Sequence, residues 1–435
     1  MIKKILVANR GEIAVRIIKT CKELNIKTVA IYSECDKDSY HVFLADEAYC
    51  IGDNNPSDSY LNSNNIIQLA ISTGCDAIHP GYGFLSEDYN FAKKVIDNNL
   101  IFIGPSPNVM KKIHDKQRLK DLLKEIDVPL IDSYKLKDFI KLKEKQVYPV
   151  LIKQINGGGG SGIKKISSSS ELEQTIKELK KHYNKSFDID NYYIEKHMDV
   201  YRHIEVQVVC DKFGNISILP ERDCSIQRSF QKFIEETPSS LNNNDLLDKI
   251  KNEALKIFKY LKYDNIGTAE FLVDNDYNYY FLEINARIQV EHTITEVVSD
   301  IDLVEEQIKI SSGNKNLKET FILPNYYALE CRINAEDPNN NFISSSGKID
   351  ILNVPSGRNI RVDSYIYQGY SLKPYYDSLL MKVITYDKDR NKAIVKMQTC
   401  LDEIIVSGIK TNIDFNYEII SKKDFKKGSY KFINY

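Results

Sequence analysis

The sequence predicts a mixed α/β protein of several domains, and three observations support this prediction. The chain has 435 residues, which is too long for one ordinary hydrophobic core, so two to four domains are expected. The first hundred residues alternate strand and helix patterns, as in a parallel sheet covered by helices. The remainder mixes strands with helices and becomes strand-rich from about Tyr327.

The composition narrows the class of protein. A hydrophobic content of 42% and a charged content of 28% are typical of globular proteins. The net charge of −2 favours neither nucleic acid nor membrane surfaces, and no apolar run reaches the roughly 18 residues of a membrane span. The eight cysteines include no C-x-x-C pair, and the first residues lead directly into a strand pattern. We therefore expect a cytoplasmic protein with reduced thiols and no removable leader.

A βαβ unit opens the chain and predicts a Rossmann-like N-terminal domain. Its elements are a buried strand over 5–8, a turn over 9–12, a helix from Ile13 and a strand over 28–32. A helix over 66–73 and a strand at 77–78 lead to the loop 79–84, whose glycines and proline predict a tight turn. Open parallel sheets bind ligands beyond strand ends of this kind.

The middle of the chain contains a glycine-rich run, Asn-Gly-Gly-Gly-Gly-Ser-Gly, at 156–162. The surrounding predictions are a helix over 115–123, a solvated charged stretch over 135–145, strands over 150–155, 163–166 and 192–195, and a helix from about Glu171. Because the glycine run joins two strands, it differs from the phosphate loops that lead from a strand into a helix. Its backbone amides can close over phosphates near Lys153, and a flexible linker is the alternative.

Two carboxylates are expected to face each other on a hairpin. The strand patterns 269–273 and 279–283 flank the turn 274–278, and a turn centred on Asp276-Tyr277 places Glu270 opposite Glu283. Cβ atoms of opposed residues are roughly 5 Å apart, where like charges destabilise the pairing. Mg²⁺ bound to ATP phosphates would relieve this repulsion, and two solvent-exposed glutamates are the alternative.

Polar and apolar residues alternate after this hairpin. Glu283, Asn285, Arg287, Gln289 and Glu291 occupy every second position. We therefore predict one extended polar face that is suited to holding a small anion beside metal ions. The segment Glu221–Arg228, with Lys232 after it, is a second candidate anion site, although salt bridges on a surface turn explain it equally well.

These segments together resemble the biotin carboxylase family of ATP-grasp enzymes. The resemblance runs in order from residue 2 to about 420 and rests on the motifs at 9–14, 79–87, 221–225, 285–292, 330–338 and 375–378. It implies a Rossmann-like domain over 1–112, an ATP-grasp domain over 113–320 with a mobile lid at about 128–197, and a strand-rich C-terminal domain over 327–433.

The resemblance also implies a role for each matching residue. Nucleotide binding is implied for Lys116, Lys153, Gly158, Gly159, Gly160, Glu195, Lys196, Met198, His203 and Gln227, together with Glu270 and Glu283. Mg²⁺ or Mn²⁺, two ions in all, would bind Glu270 and Glu283 with Asn285 alongside. Lys232, Arg287, Gln289 and Val290 would position bicarbonate, Glu291 would deprotonate it, and Arg332 would bind biotin and stabilise its enolate form.

The implied activity is the carboxylation of biotin by ATP and bicarbonate through carboxyphosphate, as in acetyl-CoA carboxylase. Biotin would be carried by a separate carrier protein, carboxyltransferase subunits would be separate partners, and the chain would form a homodimer. Membership of a pyruvate or acyl-CoA carboxylase, or a role as a degenerate nucleotide-binding partner, is the alternative. The sequence departs from the family pattern at Asn156, Ser161, Phe230 and Thr293, where glycine, a basic residue, histidine and proline are usual.

Overall fold

The computed structural model describes residues 2–154, 163–183, 188–315 and 320–435. None of the helices in these ranges is long and apolar enough to cross a membrane. All eight cysteines lie in the described ranges as free thiols.

The N-terminal part is a parallel sheet covered by helices, as predicted. Its elements are β1 (Lys4–Val7), α1 (Gly11–Glu23), β2 (Lys27–Ser33), α2 (Tyr40–Leu44), β3 (Glu47–Gly52), α3 (Ser63–Ser72), β4 (Ala77–His79), α4 (Tyr89–Asp97), β5 (Ile101–Phe102) and α5 (Pro107–His114). The strand order is β3-β2-β1-β4-β5, so the winding direction reverses between β1 and β4. Asn9 follows β1 and donates 2.7 Å hydrogen bonds to the carbonyl oxygens of Pro80 and Tyr82, which follow β4. The loops after these two strands therefore meet at the edge where such sheets bind ligands.

A small antiparallel sheet with the strand order β6-β9-β7-β8 follows in the described part of the chain. The elements of this region are α6 (Lys116–Lys124), β6 (Ser133–Lys135), α7 (Leu136–Lys141), β7 (Val150–Gln154), β8 (Lys164–Ile166), α8 (Ser169–Tyr183) and β9 (Tyr192–Lys196). The predicted solvated stretch at 135–145 was wrong in part, because Leu136 and Phe139 lie three residues apart on α7 and are both buried. The charges of this stretch occupy the other face of the helix.

The rest of the chain is built on one large sheet. Its elements begin with β10 (Val200–Cys210), β11 (Ile216–Ile218), β12 (Arg222–Arg228), β13 (Gln231–Thr237), α9 (Asn244–Leu261), β14 (Asn265–Asp274), β15 (Tyr279–Asn285), α10 (His292–Ser299) and α11 (Leu303–Ser311). They continue with β16 (Tyr327–Asn334), β17 (Glu336–Asp337), β18 (Ile343–Ser344), β19 (Gly347–Lys348), β20 (Leu352–Asn353), β21 (Ile360–Ser364), β22 (Ser371–Leu372), β23 (Leu379–Asp387), α12 (Arg390–Glu403), β24 (Ile405–Val406), α13 (Ile413–Ser421), α14 (Lys423–Lys426) and β25 (Ile433–Asn434). The main path through this sheet is β15-β14-β10-β12-β13-β16-β23-β21. Because β13 pairs with β16, the central and C-terminal strands form one continuous surface.

The two faces of the large sheet differ in chemistry. Ile204, Val206 and Val208 on β10 belong to an apolar core that includes residues of α9. The alternate residues on the same strand, His203, Glu205 and Gln207, are polar and are also buried. Since strand residues alternate between faces, the second face brings buried polar groups together.

We predict that Leu261→Ala on α9 lowers the free energy of unfolding by about 2–5 kcal/mol, because it opens a cavity in this core. The Leu261 side chain is 2% exposed, whereas Leu323 is 78% exposed and is the matched control. Leu323→Ala is expected to change the free energy of unfolding by less than about 0.5 kcal/mol in the same urea titration. Equal effects of the two substitutions would contradict the assignment of this core.

Candidate active site

A row of charged residues crosses four neighbouring strands of the large sheet. Arg222 on β12 pairs with Glu205 on β10, Glu205 pairs with Glu270 on β14, and Glu270 pairs with Glu283 on β15. Three carboxylates therefore lie side by side, and like charges in this arrangement require cations between them. Two of the three were predicted from the sequence; Glu205 was missed because its partner on β14 is distant in the chain.

The opposition of Glu270 and Glu283 was predicted correctly, but the predicted turn was not. Phe271 pairs with Phe281 and Val273 with Tyr279, so the turn is centred on Asp276 alone. A register shift between Glu270 and Phe271 then restores the predicted pairing. The extra residue of a β-bulge produces this shift, and the pattern of side chains does not reveal it.

Lys232 provides the central cation. Its ammonium group donates hydrogen bonds to Glu205, to Glu270 at 2.9 Å and to Glu291 at 2.8 Å. Burial alone would lower the pKa of Lys232, but the three carboxylates outweigh this effect and raise it well above its usual value. Burial would likewise raise the pKa of Glu270, yet Lys232 and His203 hold it below the usual range. Lys232 and Glu270 are therefore both charged at neutral pH.

His203 orients the other oxygen of Glu270. Its Nε2 lies 2.7 Å from Glu270 Oε2, and its Nδ1 lies 2.7 Å from the amide nitrogen of Gln227. With the amide donating to Nδ1, the ring donates from Nε2 to the carboxylate. Gln227 thus fixes the tautomer of the histidine that contacts the carboxylate row.

Arg222 on β12 compensates the negative charge of Glu205, at one end of the row. The side chain is fully buried and contacts Glu205, Thr295 at 2.8 Å and Gln289 at 2.5 Å. The segment around it is a buried strand, so the alternative of salt bridges on a surface turn was wrong. Arg222 orients the amide of Gln289, whose nitrogen then donates to Glu270 at 2.7 Å.

Glu291 is held between two cations. One carboxylate oxygen accepts from Lys232, and the other accepts from Arg332 at 2.9 Å. Burial would raise the pKa of Glu291, but Lys232 and then Arg332 hold it well below its usual value. The group is thus ionised and ready to accept a proton once a ligand takes over one of its cations.

A second group of charges lies at the other end of the cavity. Lys116 donates to Glu283 at 2.9 Å, while Lys120 at 2.6 Å and Lys153 share the carboxylate of Glu195. Burial would raise the pKa of Glu195, but the two lysines lower it. Lys120 was missed by the sequence analysis, although it follows Lys116 by one helical turn on α6 and therefore shares its face.

The predicted extended polar face ends earlier than expected. β15 stops at Asn285, and residues 286–291 are not a strand. Ala286 and Ile288 nevertheless pack in apolar cores, while Arg287, Gln289 and Glu291 line the cavity together with Val290. Arg287 contacts Asn285 at 3.0 Å and Glu87 at 3.1 Å. Glu87 was not among the predicted site residues.

Phe230 lies at the rim of the cavity, where it is 39% exposed. Together with Ser229 it forms the two-residue turn between β12 and β13, and both residues have positive φ angles, +63° for Phe230 and +48° for Ser229. Such turns favour asparagine and glycine, so this turn is strained. The C-terminal tail holds it, because the backbone N–H of Phe230 donates to Asn434 and that of Ser229 to the carbonyl oxygen of Tyr435.

One cavity of about 1240 Å³ unites these groups. Its lining includes all the predicted site residues that the structure describes, namely Lys116, Lys153, Glu195, Lys196, Met198, His203, Gln227, Lys232, Glu270, Glu283, Asn285, Arg287, Gln289, Val290, Glu291 and Arg332. Gly158, Gly159 and Gly160 lie outside the described residues, as do Asn156 and Ser161. The wall also includes Asn9–Glu12, which follow β1 and begin α1, and Tyr82–Phe84, which follow β4, so the parallel sheet closes one side of the cavity.

Comparison with known proteins agrees with this arrangement. Three family models match in order: the biotin carboxylase N-terminal domain over 1–110, the ATP-binding domain of the carbamoyl-phosphate synthase L chain over 115–320, and the biotin carboxylase C-terminal domain over 330–433. Biotin carboxylase 1 of Bacillus subtilis is 45% identical over 437 residues, which cover 99% of this chain and 97% of that protein.

The chain belongs to the biotin carboxylase family.

It is accordingly an ATP-dependent ligase, and its fold is that of biotin carboxylase structures. The biotin carboxylase domain dimer of 2-oxoglutarate carboxylase from Hydrogenobacter thermophilus, in complex with MgADP, ADP and bicarbonate, has a TM-score of 0.94 and 42% identity over 99% of this chain and 96% of that one. A pyruvate carboxylase subunit from Methanothermobacter thermautotrophicus is 42% identical over 98% of this chain and 88% of that protein. Family membership therefore leaves the final acyl acceptor open.

The opposed carboxylates fit a divalent metal in this biotin carboxylase fold. Glu270 and Glu283 offer hard oxygen ligands at paired positions, and the Glu283 side chain is 33% exposed to the cavity. Lys116 contacts Glu283 and Lys232 contacts Glu270, so the negative charge of each carboxylate is compensated, which shows that the pair requires nearby positive charge. Asn285 donates its amide nitrogen to Glu270 at 2.6 Å, so its oxygen faces Arg287.

We predict that Lys232→Met lowers the free energy of unfolding by about 3–5 kcal/mol at neutral pH, because three buried carboxylates lose their shared cation. The low pKa values of Glu270 and Glu291 mean that their stabilising contribution exists above their ordinary value of 4.5 and is lost as the pH falls. The difference between wild type and variant should therefore persist from about pH 7 to about pH 4.5 and narrow only at lower pH in urea titrations.

Lys124→Met is the control for this substitution, since Lys124 is exposed and pairs with its helix neighbour Asp121 at 3.1 Å. Its expected effect is below about 0.5 kcal/mol at both pH values. A Lys232→Met protein as stable as wild type at neutral pH would show that the carboxylates find other compensation.

Proposed function

We propose that the chain uses ATP and bicarbonate to carboxylate biotin held on a separate biotin carboxyl carrier protein, the first half-reaction of acetyl-CoA carboxylase in fatty acid synthesis. The observation that carries this proposal is the position of the Glu291 carboxylate between Lys232 and Arg332, in the same cavity as Glu270 and Glu283. A base flanked by two cations is suited to an anionic substrate that must lose a proton.

Nucleotide phosphates occupy the end of the cavity that contains the lysines. Lys116 and Lys153 contact the phosphates, with Gly158, Gly159 and Gly160 in the lid. Glu195, Lys196 and Met198 receive the adenine, and His203 and Gln227 line the same site. In the described structure Lys153 is paired with Glu195. Phosphate would replace that carboxylate as the partner of Lys153, and Lys120 would continue to compensate Glu195.

Bicarbonate lies beside Glu291, where Lys232, Arg287, Gln289 and the backbone of Val290 position it. The anion takes over Lys232 from Glu291, which raises the proton affinity of the carboxylate, so that Glu291 can remove the bicarbonate proton. The bicarbonate oxygen then forms a bond to the γ-phosphorus of ATP, and the bond to the departing ADP oxygen breaks. The product is carboxyphosphate.

Carboxyphosphate breaks its carbon–oxygen bond to give CO₂ and phosphate. The released phosphate takes the proton from N1′ of biotin, and N1′ then attacks CO₂. Arg332 stabilises the enolate oxygen of the ureido group during this step. Closure of the lid at about 128–197 would keep water from the labile intermediate.

Glu270 and Glu283, with Asn285 alongside, are the residues that would hold Mg²⁺ or Mn²⁺, with two ions in the complete site. When bound, the metal ions neutralise charge on the phosphate oxygens of ATP. The contribution of the chain is to place the two carboxylates at opposed positions on β14 and β15.

The domains extend over 1–112, 113–320 and 327–433, the chain forms a homodimer in the cytoplasm, and carboxyltransferase subunits are separate partners. A pyruvate or 2-oxoglutarate carboxylase is the second candidate for the complete assembly, because relatives of similar identity carry those names.

The test is ATP hydrolysis by the purified chain with Mg²⁺, with and without bicarbonate and free biotin. Stimulation by biotin that also requires bicarbonate is expected. A folded chain that binds nucleotide without any turnover would contradict the proposal and favour a degenerate nucleotide-binding partner. Incubation of the active chain with candidate carrier proteins would then identify the assembly.

We predict that Glu291→Gln lowers the rate of biotin-dependent ATP hydrolysis by roughly 10² to 10⁴-fold, because the amide cannot accept the bicarbonate proton. Glu306→Gln is a matched control, since Glu306 is another buried glutamate but lies on α11 outside the cavity. MgADP binding, measured by calorimetry, should be retained in both variants. A Glu291→Gln enzyme with a near-normal rate would exclude Glu291 as the base.

A further inference from the structure

A second pair of opposed carboxyl groups lies beneath Arg332. Glu235 on β13 pairs directly with Glu330 on β16, and both residues are fully buried. Arg332 donates to one oxygen of Glu235 at 2.6 Å, and the Thr293 hydroxyl donates to one oxygen of Glu330. Two buried anions at opposed positions would repel each other strongly.

The other oxygen of each carboxyl group has no hydrogen-bond partner. Glu235 Oε2 and Glu330 Oε1 are both shielded from solvent, and no donor reaches either atom within the described ranges. Buried polar atoms are normally paired, and two carboxylates cannot pair with each other because neither can donate. A proton on one of the two groups removes one of the two negative charges and provides the donor that the pair lacks.

The neighbouring cations cannot neutralise two charges. The groups that act on the pair are Lys232 on β13, Glu291 before α10, Arg332 on β16, Lys382 on β23, and the thiols of Cys224 and Cys331. Lys232 is engaged with three other carboxylates, and Lys382 contacts the carbonyl oxygen of Val290 at 2.8 Å and Glu12 at 3.1 Å. Arg332 is left as the one cation in direct contact with the pair among these groups.

We propose that Glu235 and Glu330 hold one proton between them and present a single negative charge to Arg332, so that Glu235 is a positioning residue for its guanidinium group. Burial raises the pKa of Glu235 to about 7, and burial together with the charge of Glu235 raises that of Glu330 well above its usual value. Because the two groups interact, the proton belongs to the pair and not to either residue alone.

The Thr293 hydroxyl lowers the pKa of this pair, and the proline that is usual at this position in the family has no group that could do so. Its hydroxyl donates to Glu330 and thereby stabilises the ionised form of that carboxyl group. Thr293 is also the second residue of the helix α10, so its position relative to β16 is held by the backbone. The hydroxyl therefore lowers the pH at which the pair loses its proton.

Loss of the proton changes the environment of Arg332. A second negative charge appears on the pair and draws the guanidinium away from Glu291 and from the cavity. If the proposed function is correct, on which this consequence rests, kcat/KM for biotin falls as the pH rises through the pKa of the pair.

The decisive variant is Glu330→Gln, whose amide still donates to Glu235 but cannot ionise. We expect its kcat/KM for biotin to stay within about 2-fold of the wild-type plateau and the fall at high pH to disappear. Glu306→Gln, at a buried glutamate whose pKa is also raised, should retain the wild-type profile. A Glu330→Gln profile identical to that of wild type would overturn the proposal.

Thermal stability tests the shared proton without reference to catalysis. A carboxyl group whose pKa is raised on folding contributes stability that is present below its ordinary value of 4.5 and is lost as the pH rises through the raised value, and the pKa of Glu330 lies well above its usual range. Glu330→Gln should therefore flatten the decrease in Tm between about pH 5.5 and about pH 8.5, by about 2 °C for a chain of this size. An unchanged slope overturns the shared proton even if the enzyme has a different activity.

Two further substitutions separate positioning from titration. Glu235→Gln should raise KM for biotin about 10-fold with little change in KM for ATP, because Arg332 loses a charged partner. Thr293→Val should move the high-pH fall upward by about half a pH unit, and Thr293→Ser should restore it. A normal KM for biotin in Glu235→Gln, or an unshifted profile in Thr293→Val, would contradict the proposal.

Discussion

The ammonium group of Lys232 is the contact on which the cavity depends. Glu205 and Glu270 lie on two strands and Glu291 lies in a loop, and the carboxylate of each accepts a hydrogen bond from this one nitrogen atom. Without a shared cation, three buried carboxylates would each carry a large desolvation cost. The position of β13 in the sheet therefore determines whether β10, β14 and the segment before α10 can lie together.

The ion pairs of the cavity indicate how substrate anions could bind without a rearrangement of the sheet. Glu195 and Glu291 in the cavity are each already partnered by a lysine that a substrate anion would require. Lys153 contacts Glu195 and Lys232 contacts Glu291, so in the proposed reaction phosphate would compete with Glu195 and bicarbonate with Glu291. In that reaction the substrates would replace protein carboxylates instead of entering a site with unpaired cations, and the proposed base would gain proton affinity as its cation is shared.

The sequence predicted the parts of this site that depend on short distances along the chain. The alternating strands and helices of the first hundred residues and the opposed pair on one hairpin, Glu270 and Glu283, follow from local periodicity. Glu205 and Lys120 were missed, because their importance comes from partners far away in the sequence. The compensating register shift beside Glu270 was invisible for a different reason, since backbone irregularities leave little trace in side-chain patterns. Segment 286–291 shows the opposite case, in which polar residues reach one cavity although the backbone is not the predicted strand.

The continuous sheet connects the surroundings of Glu291 with those of Arg332. β13 carries Lys232, which contacts the proposed base, and also Glu235, which contacts Arg332 three positions further along the chain. Because β13 pairs with β12 on one side and β16 on the other, a change in either neighbour reaches both groups. A strained turn at Ser229-Phe230 begins this strand, and the C-terminal tail holds that turn. The tail is therefore placed to influence the geometry of the proposed base and of Arg332 together, because both contact residues of β13.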